Sequence, residues 1–381
     1  FYQWHIQRFV HSILQYLLVI HKKYSILTIM LFFDNIIFSL QKAGGISAVW
    51  QNLISEVIRQ NIDAKFIEYP DALDNIFRKQ VEIAHQDIIN SHRFNRILSQ
   101  FQKVDIREHR PFIFHSSYFR LCSNPDAITV TTLHDFTDFF QAKSVRNKLR
   151  LYLNKRAISH SDAVVCVSEN TKNDLLRIVP DIDLSKIHVI YNGVSDDYRP
   201  IQHKPYDRYR NSVLFIGGRS GYKNFEFVLK ALSGTDYRLL ICGAEITMAE
   251  KKSLDTHIPG QYDFIKHPDN TELNKIYNSV HCLAYPSSYE GFGIPVLEAQ
   301  RAGCPVIALN SSSIPEVMGN TWGMMDRLDE SEFKWMLSRL HDTSLRNQTI
   351  TDGLENSKRF SWEKMANDYI CLYNRLLNIA R

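Results

Sequence analysis

The sequence predicts an α/β protein built as two doubly wound domains whose parallel sheets face each other across a cleft. Three observations predict it. Short apolar, β-branched runs alternate with amphipathic runs along nearly all of the 381 residues, the pattern of βαβ units whose sheets are covered on both faces. One polar, turn-rich, non-periodic stretch, VSDDYRPIQHKPYDRYRNS at 194–212, interrupts that pattern. Beyond it the alternation starts again, and the length allows a sizeable core in each half.

Composition narrows the class. With 44% hydrophobic and 23% charged residues the chain reads as an ordinary globular protein. A net charge of +4 is small for this length. It gives no basis for nucleic-acid binding, while it suits anionic substrates or an anionic membrane surface. The cysteines (Cys122, Cys166, Cys242, Cys282, Cys304 and Cys371) show no C-x-x-C, and several lie in apolar runs such as AVVCVS and RLLICG. They read as free thiols of a reducing compartment, hence of a cytoplasmic protein.

Residues 1–29 do not match the rest of the chain. They mix aromatic and β-branched residues with His5, Arg8, His11, His21, Lys22 and Lys23, and their uncharged run from Phe9 to Ile20 is too short to span a bilayer. They are expected to lie outside the fold; the alternative is an amphipathic helix on a membrane surface. The first domain is expected over 30–195. It opens with the strand LFFDNI, the glycine loop KAGGIS, and a helix presenting Val49, Leu53, Ile54, Val57 and Ile58 on one face. Strand AKFIEYP, a helix near 82–101, strands FIFHSS and AITVTTLHD, and a basic helix near 144–159 come next. Strand AVVCVS, helix ENTKNDLLRIV and strand IHVIYNG complete the domain. In the helix start VSENTK, Ser168 or Glu169, then Thr171, read as N-capping groups.

Residues 196–212 read as a linker and 213–360 as the second domain. Its runs are VLFIGG, NFEFVLKAL, RLLICG, a helix near 247–255, YDFIKH, TELNKIYNS, HCLAYPS, PVIALN and SIPEVM. The last helix, within 361–381, is expected to cross back to the first domain. Ligands are expected at the carboxyl ends of the strands, between the domains.

The most informative stretch is SSYEGFGIPVLEAQRAGCP at 287–305. A strand runs into a loop holding Glu290, Gly291 and Gly293, and a helix comes next with Pro295 near its start, where a missing N–H costs nothing. The N–H groups of Gly293, Ile294 and Val296 at that helix end form an anion site. Glu298, about one turn on, is placed to take hydroxyls attached to the anion. Phosphates on amides and a diol on a carboxylate describe a nucleotide. Between a strand and a helix, GGRSGYKN (217–224) offers Arg219 and Lys223 but neither G-x-G-x-x-G nor a G-K-[ST] ending, so neither a dinucleotide enzyme nor a P-loop NTPase is supported.

The spacing Glu290-x7-Glu298, within S-x-x-E-G-F-G-I-P-x-x-E-A and continuing into A-G-C-P-V-I-A, closely resembles the signature of the retaining glycosyltransferases of family 4, with the two-domain GT-B fold of Rossmann-like halves. The resemblance spans about residues 30–381. It implies transfer of a hexose from a nucleotide diphosphate sugar to a saccharide or lipid-linked saccharide acceptor, in bacterial surface polysaccharide or lipopolysaccharide synthesis. Mannose from GDP-mannose is the first candidate; peripheral contact with the cytoplasmic membrane face is a separate expectation, from the charge and from residues 1–29.

It implies that Glu290 and His134 contact the sugar, and that Lys223 and Arg219 hold the diphosphate with the amides of Gly293 and Ile294. Glu298 would hold the ribose. The Gly45 loop would close over the phosphates from the first domain, and the VSENTK segment would line the sugar pocket. Many relatives place Arg directly beside Lys, which makes the part of Arg219 the less defined of the two. Ser311 to Ser313 and Glu316 are candidates for base or ribose contact. Asp181 and Asp183 read as a cap, and no His, Asp or Glu set has metal spacing, so metal-independent chemistry without a cofactor is expected. The alternatives are a non-catalytic sugar-nucleotide binder of this fold and a glycoside hydrolase, which also uses two carboxylates.

Overall fold

The computed structural model describes residues 30–91, 100–140, 145–203, 205–219 and 221–380. The extension 1–29 and part of the segment read as a helix near 82–101 lie outside them. Within that segment a short strand forms instead, Ile88–Asn90, because its backbone pairs in parallel with Phe66–Glu68 at the sheet edge.

Two all-parallel sheets organise the chain. The first contains β1 (Leu31–Asp34), β2 (Ala64–Glu68), β3 (Ile88–Asn90), β4 (Phe112–Ser116), β5 (Ala127–Leu133), β6 (Ala163–Cys166) and β7 (Ile187–Val189), in the order β3-β2-β1-β4-β5-β6-β7. The second contains β8 (Ser212–Ile216), β9 (Arg238–Gly243), β10 (Tyr262–Lys266), β11 (Cys282–Tyr285), β12 (Val306–Leu309) and β13 (Met324–Met325), in the order β10-β9-β8-β11-β12-β13. Strand order reverses between β1 and β4, and between β8 and β11, which are the crevices where doubly wound sheets bind ligands. The strands are apolar on both faces because helices cover both. Leu31 and Phe33, Val164 and Val165, and Leu239 to Cys242 are all shielded from solvent. Among the described residues no helix is long and apolar enough to cross a membrane.

The segment read as a linker is not free. Tyr198 and Tyr209 are buried in the second domain's core, and the backbone N–H groups of Arg199, Ile201 and Tyr206 donate to Asn274, Asn278 and Ser279. A polar segment can lie flat on a domain when side chains of a neighbouring helix, here Asn270–Ser279, take up its amides. The crossing between domains falls earlier, near Gly193.

The chain crosses again before its last helix, Trp362–Ile379. Met365, Ala366, Tyr369, Leu372, Tyr373 and Leu377 join the core of the first domain with Phe33 and Trp50. Tyr369 and Tyr373, four residues apart and so on one face, also anchor a buried polar chain. The Tyr373 hydroxyl meets His115 Nδ1 at 2.6 Å, His115 Nε2 meets Thr132 Oγ1 at 2.9 Å, and Thr132 meets the Tyr369 hydroxyl at 2.9 Å. Burial lowers the His115 pKa to about 3, with the nearby His134 adding to the effect, so the ring is neutral.

The two crossings touch. A Cβ at Gly193 would overlap the backbone of Ser361 and Trp362. Gly193→Ala is therefore expected to destabilise the protein by about 1–3 kcal/mol, the usual cost of forcing extra volume into a packed site. Urea unfolding would measure it, and an unchanged midpoint would show that the crossings separate at no cost.

Candidate active site

Both strand-order reversals open onto the space between the sheets. From the second domain, β8 leads to the loop with Arg219 and Lys223, and β11 leads to the loop with Glu290. From the first domain, β5 ends at His134. A cavity of about 1070 Å³ lies here, lined by Gln41, Ile46, Phe119, His134 and Asn154 of the first domain and by Tyr222 of the second. That is at the upper end of the roughly 300–1,000 Å³ of ligand pockets.

Lys223 and Glu290 form one unit. Lys223 Nζ is ion-paired with Glu290 Oε1, with both side chains largely buried. The ammonium also lies 5.4 Å from the ring centroid of Tyr222 and 5.3 Å from that of Tyr285, and aromatic faces attract a cation at that range. The Tyr285 hydroxyl donates to Glu290 as well. Next to Lys223, Asn224 takes a left-handed backbone (φ 53°) that asparagine tolerates. Its amide donates to Pro286 O (2.8 Å) and Ser288 Oγ (2.6 Å), binding the lysine loop to the glutamate loop.

Three serines hold the Glu290 loop from below. Ser312 Oγ accepts the Glu290 N–H at 2.8 Å, Ser313 Oγ donates to the carbonyls of Glu290 and Phe292, and Ser311 Oγ donates to Ser288 O at 2.6 Å. The loop ends at Gly293, whose φ of 103° favours glycine, and the helix Ile294–Arg301 begins. The Gly293 and Ile294 N–H groups donate to none of the described residues, as an anion site requires. Val296 does not belong with them, because the tight first turn returns its N–H to Gly293 O.

Glu298 sits one turn into that helix, half-buried. Desolvation raises its pKa to about 7, against the opposing hydrogen bonds from Tyr277 and Tyr198. The Tyr277 hydroxyl lies 3.0 Å from Oε2. A carboxylate has about four acceptor positions, so two tyrosines leave room for a diol.

His134 lines the cavity from the first domain, and its carbonyl lies against Gly291 of the Glu290 loop. Burial lowers its pKa to about 4, so it is a neutral hydrogen-bonding group at pH 7, and no described residue bonds to its ring. Gly45 opens the helix Gly45–Arg59 and is exposed, between the cavity-lining Gln41 and Ile46.

Arg219 departs from the expectation of a free phosphate cation. Its Nε and Nη2 pair with Glu250 at 2.9 and 3.1 Å, Nη2 also donates to Glu245 O, and its side chain is 4% exposed. Glu250 is fixed in a capping box with Thr247 at the start of the helix Met248–His257, and a fixed carboxylate draws a guanidinium in a two-pronged pair. Only the buried Nη1 has no partner among the described residues. Lys223 is thus the main cation of the site.

Glu316 also departs from expectation, as it reaches the first domain rather than a nucleotide position. Asp183 caps a short turn, accepting from Ser185 N–H at 2.9 Å. Among the described residues no three His, Cys, Asp or Glu side chains gather to hold a metal ion. Cys166, Cys242, Cys282 and Cys304 are buried, Cys122 is half-buried and Cys371 exposed, all as free thiols.

A family model described as Glycosyltransferase Family 4 matches residues 43–198, and one described as Glycosyl transferases group 1 matches residues 199–323. The chain belongs to the family 4 type of glycosyltransferases, with the GT-B fold. It is similar to the O-antigen chain mannosyltransferase B of Escherichia coli, with 26% identity over 297 residues, 71% of this chain and 76% of that one.

Among solved structures it resembles sucrose-phosphate synthase from Thermosynechococcus elongatus, with a TM-score of 0.70, 16% identity, and coverage of 92% of this chain and 100% of that one. It also resembles HepE of Anabaena in complex with UDP and glucose, with a TM-score of 0.68, 13% identity, and coverage of 91% and 100%. At these identities the structures show the fold alone. The family sets aside the hydrolase alternative.

Proposed function

We propose that this chain transfers a hexose, with mannose first among candidates, from a nucleotide diphosphate sugar to a saccharide hydroxyl with retention of configuration. The observation that carries the reading is the Lys223–Glu290 pair at the β8/β11 reversal, on a loop packed at Gly291 against the His134 backbone, with Glu298 one helical turn behind. The mannosyltransferase relative supports the sugar, and the UDP held by HepE supports a nucleotide diphosphate.

Lys223 and the Gly293 and Ile294 amides hold the diphosphate, with Arg219 adding Nη1. Glu298 takes the ribose hydroxyls. Glu290 and the neutral His134 hold the sugar. The bond from the anomeric carbon to the phosphate oxygen breaks with its electron pair going to phosphate. The acceptor oxygen bonds to the same face, and its proton passes to the departing phosphate oxygen. Developing charge on the leaving group meets a fixed ammonium and amides, so no metal is required.

The acceptor enters from the first domain. There the helix Val145–His160 lies beside the cavity, in a sequence stretch with Lys143, Arg146, Lys148, Arg150, Lys155 and Arg156 and no acidic residue from 141 to 160. Such a helix suits a lipid-linked acceptor at an anionic membrane surface on the cytoplasmic side.

Glu298 supplies the test. Ribose hydroxyls donate to the ionised carboxylate, so binding favours the deprotonated form. With a pKa of about 7 in the free protein, nucleotide affinity should be nearly constant above pH 8. It should weaken by about tenfold per unit on descending below pH 7. Glu298→Gln should bind weakly and without this pH dependence. Calorimetric titration of GDP and UDP in EDTA would measure both, and sugar transfer from a nucleotide-sugar panel in the same buffer would identify the donor. A pH-dependent Glu298→Gln variant with wild-type affinity would remove Glu298 from the ribose.

A further inference from the structure

The first domain grips the second at three points, two of them on the loop that carries Glu290. The Gly291 carbonyl accepts from Ser168 Oγ at 2.7 Å and Thr171 Oγ1 at 3.2 Å. The Tyr289 hydroxyl accepts the Phe136 N–H at 3.0 Å and donates to Asp174 at 2.9 Å. Glu316, in the short helix Ile314–Met318, accepts the N–H groups of Glu169 and Asn170 at 2.9 and 3.0 Å, and the Tyr191 hydroxyl at 3.2 Å.

The Glu316 contact takes up the first two amides of the helix Glu169–Ile178. A helix leaves its first N–H groups without internal partners. Here the helical bonds begin with Lys172 N–H to Ser168 O, and Ser168 Oγ takes the N–H of Thr171. Those of Glu169 and Asn170 are served by a carboxylate from the other domain, where the helix dipole favours negative charge. Glu316 forms no ion pair with any described residue, so these amides and Tyr191 are what hold it. Ser168, the cap of the same helix end, is also the residue that donates to Gly291 O. Glu316 therefore fixes the position of the group that fixes the carbonyl beside Glu290.

We propose that Glu316 is a positioning residue: it locks the start of the helix Glu169–Ile178 to the second domain, so that Ser168 and Thr171 hold the Gly291 carbonyl and set Glu290 against the sugar. The nucleotide groups Lys223, Gly293, Ile294 and Glu298 all belong to the second domain, so the lock acts on transfer and not on nucleotide affinity. It rests on the transfer reading only for its kinetic consequence.

Glu316→Gln keeps the size, removes the charge and turns an N–H donor toward the helix end. It is expected to lower kcat about tenfold, within the roughly 5–150-fold range of coupling between sites, with an unchanged Kd for the free nucleoside diphosphate. Deuterium exchange at the Glu169 and Asn170 amides should quicken. Ser168→Ala should lower kcat similarly, Ser168→Thr should restore it, and the double variant Ser168→Ala/Glu316→Gln should be no worse than the weaker single variant, since both act through one contact.

A wild-type kcat in Glu316→Gln, or a loss of nucleotide affinity equal to the loss of kcat, would overturn the proposal. Exchange decides independently of catalysis. If the wild-type chain transferred no sugar, the functional reading would fall. Faster exchange at those two amides would still support the lock, and unchanged exchange would overturn it.

Discussion

Lys223→Ala is expected to lower turnover by about 10²–10³-fold, the usual effect of removing one group that stabilises charge developing in a transition state. The reason lies in the economy of cations at the site. Arg219 is committed to Glu250, so the variant leaves the departing diphosphate with amides and a single Nη1. Glu290 also loses its ion-pair partner, and the carboxylate that contacts the sugar loses its anchor. Leaving the largely buried Glu290 without its partner should cost about 3 kcal/mol of stability, and the fold should survive because Glu290 keeps the Tyr285 hydroxyl as donor and its loop keeps its three serines. Initial rates with saturating donor, alongside a thermal melt, make the measurement. A variant within a few-fold of wild type would place the diphosphate elsewhere.

Gly291→Ala is expected to lower transfer by about 10²-fold while sparing nucleotide binding. A Cβ at 291 would be driven into the carbonyl oxygen of His134 and against the side chain of Asp135. The carbonyl is backbone at the end of β5, so it cannot swing aside as a flexible side chain would. The Glu290 loop and the His134 strand end would have to part, and a displacement of about 1 Å between groups that orient a substrate costs on that order. Calorimetry with free nucleotide should give the wild-type affinity. Equal losses in binding and transfer would mean that the methyl group damages the second domain itself and not the approach of the first.

The architecture was readable because alternation is local. Runs such as VLFIGG and NFEFVLKAL carry the period of the element they form, and the two reversals of strand order then result from parallel connections. That Glu290, Glu298 and Lys223 lie beyond strand ends was readable from the same alternation. What escaped was every feature decided by a distant partner. T-x-x-E at 247–250 announces a capping box, but not that Arg219, some thirty positions earlier, would be drawn onto its glutamate. Glu316 reads as an ordinary acid early in a short helix, and nothing near it signals two amides at 169 and 170. Ile88 to Asn90 sits in a stretch of helical character and becomes a strand because β2 offers a free edge. The polar run after Gly193 looks like a tether and instead lies against asparagines of another helix.

The last helix carries a consequence for how the chain is made. A ribosome releases residues in order, and domains fold as units while they emerge. The sheet β1–β7 is synthesised before the second domain, yet six members of its core, from Met365 to Leu377, come after that domain. The second domain needs nothing after Phe360 for its core, so it closes while the older domain is still open over Phe33, Trp50 and His115. The domains are thus finished in the reverse of the order in which they are begun. A stop codon a few residues past Phe360 is a lesion of the amino-terminal half.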